Sequence, residues 1–238
     1  MKIMVCGDSF CSDKANKPNS WVAHLSSLLN ATVDSYGKAG CSNYYILDQY
    51  KNNNYQDYDI AIIIKTDNAR VPYVKDMPGK SWIYDIEDIK KNNITIKNIP
   101  DDYLQNLKSH IKYFHSFKLN EDVSDYSFLK IANLKPDQQK IIWIAAMGSF
   151  DDLPIFYKNI THNSIMISGS LVDITNDEMK FTGYKTQLDF SKNNSDEYSK
   201  KLNHMSFENN YNLAVFLKNV ILDENANTDL TKHNWTLN

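Results

Sequence analysis

Short apolar runs separated by helical segments predict an α/β fold: a three-layer α/β/α sandwich around a flavodoxin-like parallel sheet of about five strands. Two further observations carry the prediction. Residues 59–64 (DIAIII) carry, after Asp59, a continuous apolar run, the pattern of a strand covered on both faces of a parallel sheet. Polar, small-residue clusters follow the apolar runs, at the carboxyl edge where open α/β sheets bind ligands.

In chain order, residues 3–6 read as a first strand that stops at Gly7-Asp8-Ser9. Asn19 or Ser20 then caps a helix whose Trp21, Leu25, Leu28 and Leu29 share one face. Residues 31–35 read as a second strand and lead into the small-residue turn around Gly37 and Gly40. A helix over 42–50 follows, then the strand over 59–64 and a second polar cluster at 65–70. Residues 71–100 are irregular and read as an insertion near the sheet edge. Helices are expected over 101–117 and 123–134, strands over 141–146 and 164–168, a helical stretch over 196–201 and a final amphipathic helix over 207–222. Residues 223–238 read as a polar tail. With no repeat or low-complexity linker, residues 1–238 are expected to form one domain.

Composition narrows the function. A net charge of −3 gives no reason to expect nucleic-acid binding through a basic face. Arg70 is the one arginine of the chain. Three cysteines, Cys6, Cys11 and Cys41, fit neither a disulfide framework nor zinc-ligand spacing, and point to a reducing compartment. The apolar run at 3–6 is too short for a signal-peptide core or a membrane span, so the expected location is the cytoplasm. His24, His110, His115, His162 and His233 have no partners at metal-ligand spacing. No metal and no cofactor is expected, and neither a GxGxxG nor a GxxxxGK[ST] phosphate loop is present. A nucleotide binder of flavodoxin-like fold therefore ranks last among the readings.

Four blocks stand at strand ends or before the last helix: Gly7-Asp8-Ser9, Gly40-Cys41-Ser42-Asn43, Thr66-Asp67-Asn68 and His204. In this order the set resembles the SGNH (GDSL-type) hydrolase family, over residues 3–222. The resemblance implies Ser9 as nucleophile and His204 as general base. It also implies an oxyanion hole from the Ser9 and Gly40 backbone N–H groups and the Asn68 side-chain amide. Asp8, Ser42, Asn43 and Arg70 are candidate substrate contacts, and Trp82, Tyr84, Tyr44 and Tyr45 candidates for an aromatic wall. The implied activity is hydrolysis of small O-acyl esters of the acetyl type, with carbohydrate esters among the substrates, or O-acyl transfer on the same fold.

Two departures from the family pattern bear on catalysis. The third block, Gly-x-Asn-Asp in the family, is here Thr66-Asp67-Asn68-Ala69, and a shift by one would present Asp67 to the oxyanion. The last block, usually Asp-x-x-His, has Lys201 in place of its acid, which leaves a backbone carbonyl, Asp196 or Glu197 to orient His204. A non-catalytic binding module is the rival reading. Residue by residue, the plainer roles are helix capping for Asp8, Ser9, Ser42 and Asn43, an Asx-turn for Asn68, and a structural ion pair for Arg70.

Overall fold

A computed structural model describes residues 1–11, 18–68, 70, 117–159, 163–172, 174, 205, 207–233 and 235. The insertion at 71–100, most of the helix expected over 101–117, the stretch at 196–201, and the residues Trp82, Tyr84, His110, His115, His162, Lys201 and His204 lie outside the described residues.

Strands β1 (Lys2–Cys6), β2 (Thr32–Ser35), β3 (Ile60–Lys65), β4 (Lys140–Ala145) and β5 (Ser164–Ser170) pair in the order β2-β1-β3-β4-β5. Every neighbouring pair is parallel. The register sets Ile3 beside Ile60 and Ile62 beside Ile142. This is the flavodoxin-like order, and the winding direction reverses between β1 and β3. The described helices are α1 (Trp21–Leu29), α2 (Asn43–Asn52), α3 (Phe117–Leu134), α4 (Pro154–Lys158) and α5 (Phe207–Leu222).

The apolar strand runs are explained by the two cores they serve. Successive strand residues point to opposite faces. Ile3 and Val5, Ile60 to Ile64 in steps of two, and Ile142 and Ile144 pack with Trp21, Leu25, Leu213 and Leu217 of α1 and α5. Met4 and Cys6, Ala61 and Ile63, and Ile141 and Trp143 pack on the other face with Ile46, Tyr50, Phe128 and Phe156 of α2, α3 and α4. Burying each such side chain contributes about 1.5–3 kcal/mol. Ser20 Oγ accepts from Ala23 N at 3.2 Å and Ser42 Oγ from Tyr45 N at 3.3 Å, so both helices start where a cap residue satisfies an orphan N–H. Among the described residues, no helix is long and apolar enough to cross a membrane.

Two segments differ from the sequence expectation. Residues 117–134 form one helix, where a break before Val123 is expected from the polar residues between. Several polar residues of this helix, Asn120, Ser124, Asp125 and Ser127, are buried, which blurs its apolar stripe. Asp125 accepts from Ile155 N and Phe156 N at the start of α4, and Ser124 Oγ accepts from Asn43 Nδ2. The C-terminal stretch is also no loose tail. Asp229 bridges to Ser168 beside β5, Leu230 is buried, and Trp235 Nε1 donates to Leu230 O at 2.8 Å.

Trp143 sits among Phe128, Phe150 and Phe156, with the Phe156 ring at 4.7 Å and 69°. Trp143→Ala should cost about 3–5 kcal/mol, read as a lower urea midpoint. His233 lies between the Phe216 and Trp235 rings, and burial holds its imidazole below the usual value. The folded chain therefore takes up this proton less readily than the unfolded chain. The contribution is complete above the unfolded value of about 6.5 and is lost as pH falls towards the depressed folded value. Melting temperatures between pH 7.5 and 5.5 should drop more for the native chain than for His233→Gln.

Candidate active site

The winding reverses between β1 and β3, and doubly wound sheets place their ligands beyond the carboxyl ends of the strands at such a switch point. The turn after β1 begins at Gly7 because no side chain fits there: a Cβ would stand 2.7 Å from Ile64 Cβ and 2.9 Å from Cys11 Sγ. Gln49 of α2 brackets the same residue. Its Oε1 accepts from Gly7 N at 2.7 Å and its Nε2 donates to Gly7 O at 3.0 Å. The side-chain amide thus completes the backbone hydrogen bonds where the strand stops.

Asp8 is fully buried. Its Oδ1 accepts from Phe10 N at 3.0 Å, which caps the one-turn 3₁₀ helix Ser9–Cys11. Capping therefore falls to Asp8. Ser9 opens the 3₁₀ turn half-buried, and among the described residues no side chain or backbone group takes its hydroxyl.

Asp8 Oδ2 accepts from Thr66 Oγ1 at 3.1 Å and from Arg70 Nη1 at 3.0 Å. The same Nη1 donates to Cys41 O at 3.1 Å. One guanidinium nitrogen thereby joins the turn after β1 to the turn that follows β2. Gly40 sits in that second turn, which Cys41 N closes on Lys38 O at 3.1 Å, with φ at +75°, in the left-handed region that favours glycine. Ser42, two residues on, caps α2.

Asn43, the first residue of α2, does for the third turn what Gln49 does for the first. Its Oδ1 accepts from Thr66 N at 2.9 Å, and its Nδ2 lies 3.2 Å from Thr66 O and 3.1 Å from Asn68 Oδ1. With Oδ1 of Asn68 held this way, its Nδ2 is turned aside from Asn43 as a donor, and no described group takes it. Arg70 N donates to Asp67 O at 3.2 Å and closes the turn over residues 67–70 that carries Asn68.

The structure brings the turns of Ser9, Gly40 and Asn68 to one edge of the sheet. Asp8, Ser42, Asn43 and Arg70, the candidate substrate contacts, are at most 4% exposed and bonded to groups of the chain itself. Their work is to hold the turns in place. Of the aromatic wall, Tyr44 is exposed and Tyr45 packs against the second core. His24 meets Tyr211 edge-to-face, as a packing residue does. Among the described residues, no three His, Cys, Asp or Glu side chains converge as a metal ion needs.

Two arrangements escape sequence reasoning. One is the pair of amide clamps, Asn43 and Gln49. Its signal is two amide side chains on the face of α2 that also carries Ile46 and Tyr50, all of them buried. The other is a relay to the last helix. Trp21 Nε1 donates to Phe10 O at 2.6 Å, Trp21 N donates to Asn210 Oδ1 at 3.0 Å, and Asn210 Nδ2 donates to Met205 O at 3.1 Å. Met205 is buried in the same core as Phe10 and Trp21.

No protein-family model and no curated protein matches the chain. Solved structures do. A protein of the G-D-S-L family from Desulfitobacterium hafniense DCB-2 is similar at 14% identity and TM-score 0.35, covering 93% of this chain and 99% of its own. The lipase/acylhydrolase from Enterococcus faecalis is similar at 13% identity and TM-score 0.44, covering 92% and 94%. An acetyl xylan esterase from the rumen bacterium Butyrivibrio proteoclasticus is similar at 12% identity and TM-score 0.38, covering 70% of this chain and 54% of its own. The fold assignment stands on the sheet order and register, independently of these likenesses.

Burial pushes the thiols of Cys6, Cys11 and Cys41 well above the usual cysteine value, and the Asp8 carboxylate adds to this at Cys11 and Cys41. All three stay protonated at neutral pH and inert as nucleophiles. Iodoacetamide at pH 7.5 should leave them unmodified in the folded protein and alkylate all three in 6 M guanidinium, as mass spectrometry would count.

Proposed function

We propose that the protein is a serine esterase of SGNH type that hydrolyses small O-acyl esters through an acyl-enzyme. The observation that carries the reading is the network Asp8–Thr66–Arg70–Cys41, which ties together the turns of Ser9, Gly40 and Asn68 at the carboxyl ends of β1 and β3. Each member stands within two residues of one with a part in the chemistry: Asp8 precedes Ser9, Cys41 follows Gly40, and Thr66 and Arg70 lie two residues to either side of Asn68.

In this reading Ser9 Oγ attacks the ester carbonyl while His204 takes its proton, since a serine hydroxyl needs a base to be a competent nucleophile at neutral pH. Such assistance is worth roughly 10²–10⁴-fold. The carbonyl oxygen gains the negative charge and is met by Ser9 N–H, Gly40 N–H and Asn68 Nδ2. His204 then returns the proton to the departing alcohol, leaving Ser9 acylated. Water attacks the acyl group by the same route, releasing the acid and restoring Ser9. A sugar hydroxyl in place of water would make the same site an O-acyltransferase.

Asn68, rather than Asp67, is the side-chain donor in this scheme, supported by the Asn43 contact that takes up its Oδ1 and leaves its Nδ2 to donate. Met205, the residue after the proposed base, is tied through Asn210 and Trp21 to the carbonyl of Phe10, one residue past Ser9, which supports the reading. Lys201 at the position of the family's acid favours the rival reading, a non-catalytic binding module on the same fold.

The test is turnover of p-nitrophenyl acetate, with labelling by a fluorophosphonate probe, in the native chain and in Ser9→Ala. Ser9→Ala should lower turnover by roughly 10³-fold or more and abolish labelling, with an unchanged melting temperature. Absence of both labelling and Ser9-dependent turnover in the native chain would overturn the esterase reading in favour of the binding module.

A further inference from the structure

We infer that Arg70 is the positioning residue of the oxyanion hole, an inference that rests on the esterase reading above. Three donors on three separate turns must converge on one oxygen atom, and an error of a few tenths of an ångström at any of them weakens the hold on the developing charge. Arg70 touches all three turns. Its Nη1 meets Asp8 Oδ2 at 3.0 Å, next to Ser9, and Cys41 O at 3.1 Å, next to Gly40. Its backbone N–H closes the turn over 67–70 that presents Asn68.

Burial makes the arrangement stiff. The side chains of Arg70 and Asp8 are 2% and 0% exposed, so water cannot replace either contact cheaply. Asp8 is gripped from the other side by Thr66 Oγ1 and Phe10 N, which leaves its carboxylate one orientation. The planar guanidinium can hold two acceptors in a set geometry, whereas an ammonium is a point charge on a flexible stem, so lysine is no equivalent here. Arg70 does not touch the substrate in this scheme. It acts through the backbone of the residues that do.

Arg70→Lys is the test, since it keeps the charge beside Asp8 and loses the planar guanidinium that fixes the directions of the Nη1 bonds to Asp8 and Cys41. A merely structural role would lower the melting temperature and leave the kinetics of the folded fraction alone. A positioning role predicts a fall in kcat on the order of 10²-fold, the scale of one lost oxyanion donor, with KM for p-nitrophenyl acetate changed less than about threefold. Affinity for a trifluoromethyl ketone, which forms a tetrahedral oxyanion on Ser9, should fall in proportion to kcat/KM. Native kcat in folded Arg70→Lys would overturn the inference while Ser9-dependent turnover of the native chain keeps the esterase reading. Should Arg70→Lys fail to fold, the double variant Asp8→Asn/Arg70→Gln removes both buried charges together and is read by the same kinetics. If neither variant folds, the pair is a requirement of the fold and the positioning role is refuted. If the native chain shows no Ser9-dependent turnover, this inference falls with the reading beneath it.

Discussion

The carboxyl edge of the sheet depends on a charge pair that water does not reach. Asp8 and Arg70 come from turns after different strands, β1 and β3, and meet at 3.0 Å with almost no exposure. Taking two such charges out of water costs several kcal/mol per ion, and a buried pair persists only when hydrogen bonds satisfy what the partner leaves over. Here they do so for Asp8: Phe10 N and Thr66 Oγ1 complete its carboxylate, while Cys41 O takes a further contact from the guanidinium. The geometry that makes the pair tolerable is the geometry that aligns three turns. Stability and site are set by the same bonds.

Helix α2 is the second support. It begins at a serine cap directly after the Gly40 turn, so its first residue, Asn43, stands beside the turn after β3. Gln49 further along reaches the end of β1. Each amide offers a donor and an acceptor to one residue's N–H and C=O, Gly7 in one case and Thr66 in the other. Strand ends in a parallel sheet leave such groups without ladder partners, and a buried one left unpaired costs roughly 1–3 kcal/mol. The clamps remove that cost where the strands must stop for a site to exist.

Much of the fold was legible in sequence because its signals are local. Runs such as 60–64 are apolar throughout since they are buried on both faces, and Ser20 and Ser42 mark helix starts through a bond three residues away. Helix α3 was harder. Asn120, Ser124, Asp125 and Ser127 all lie on its buried side, which blurs the apolar stripe that would announce one helix of 18 residues. The C-terminal stretch misled for the opposite reason: Ala226, Leu230 and Trp235 are scattered through a polar sequence, too sparse to form a pattern, yet they dock against the core.

By itself, the sequence determined the strands, most of the described helices, and which residues end up at the sheet's carboxyl edge: Ser9, Gly40 and Asn68 each follow an apolar run or its turn, and that placement needs no distant partner. The tertiary structure decided what each polar residue near them does. Asp8 became a cap and one half of a buried pair, Ser9 was left with its hydroxyl unclaimed among the described residues, Asn68 was oriented by Asn43, and Arg70 was drawn inside. The ion pair and the orientation of Asn68 come from partners 62 and 25 residues away. Periodicity and capping act over a few residues, whereas a hydrogen bond between turns exists only after the sheet has set its register.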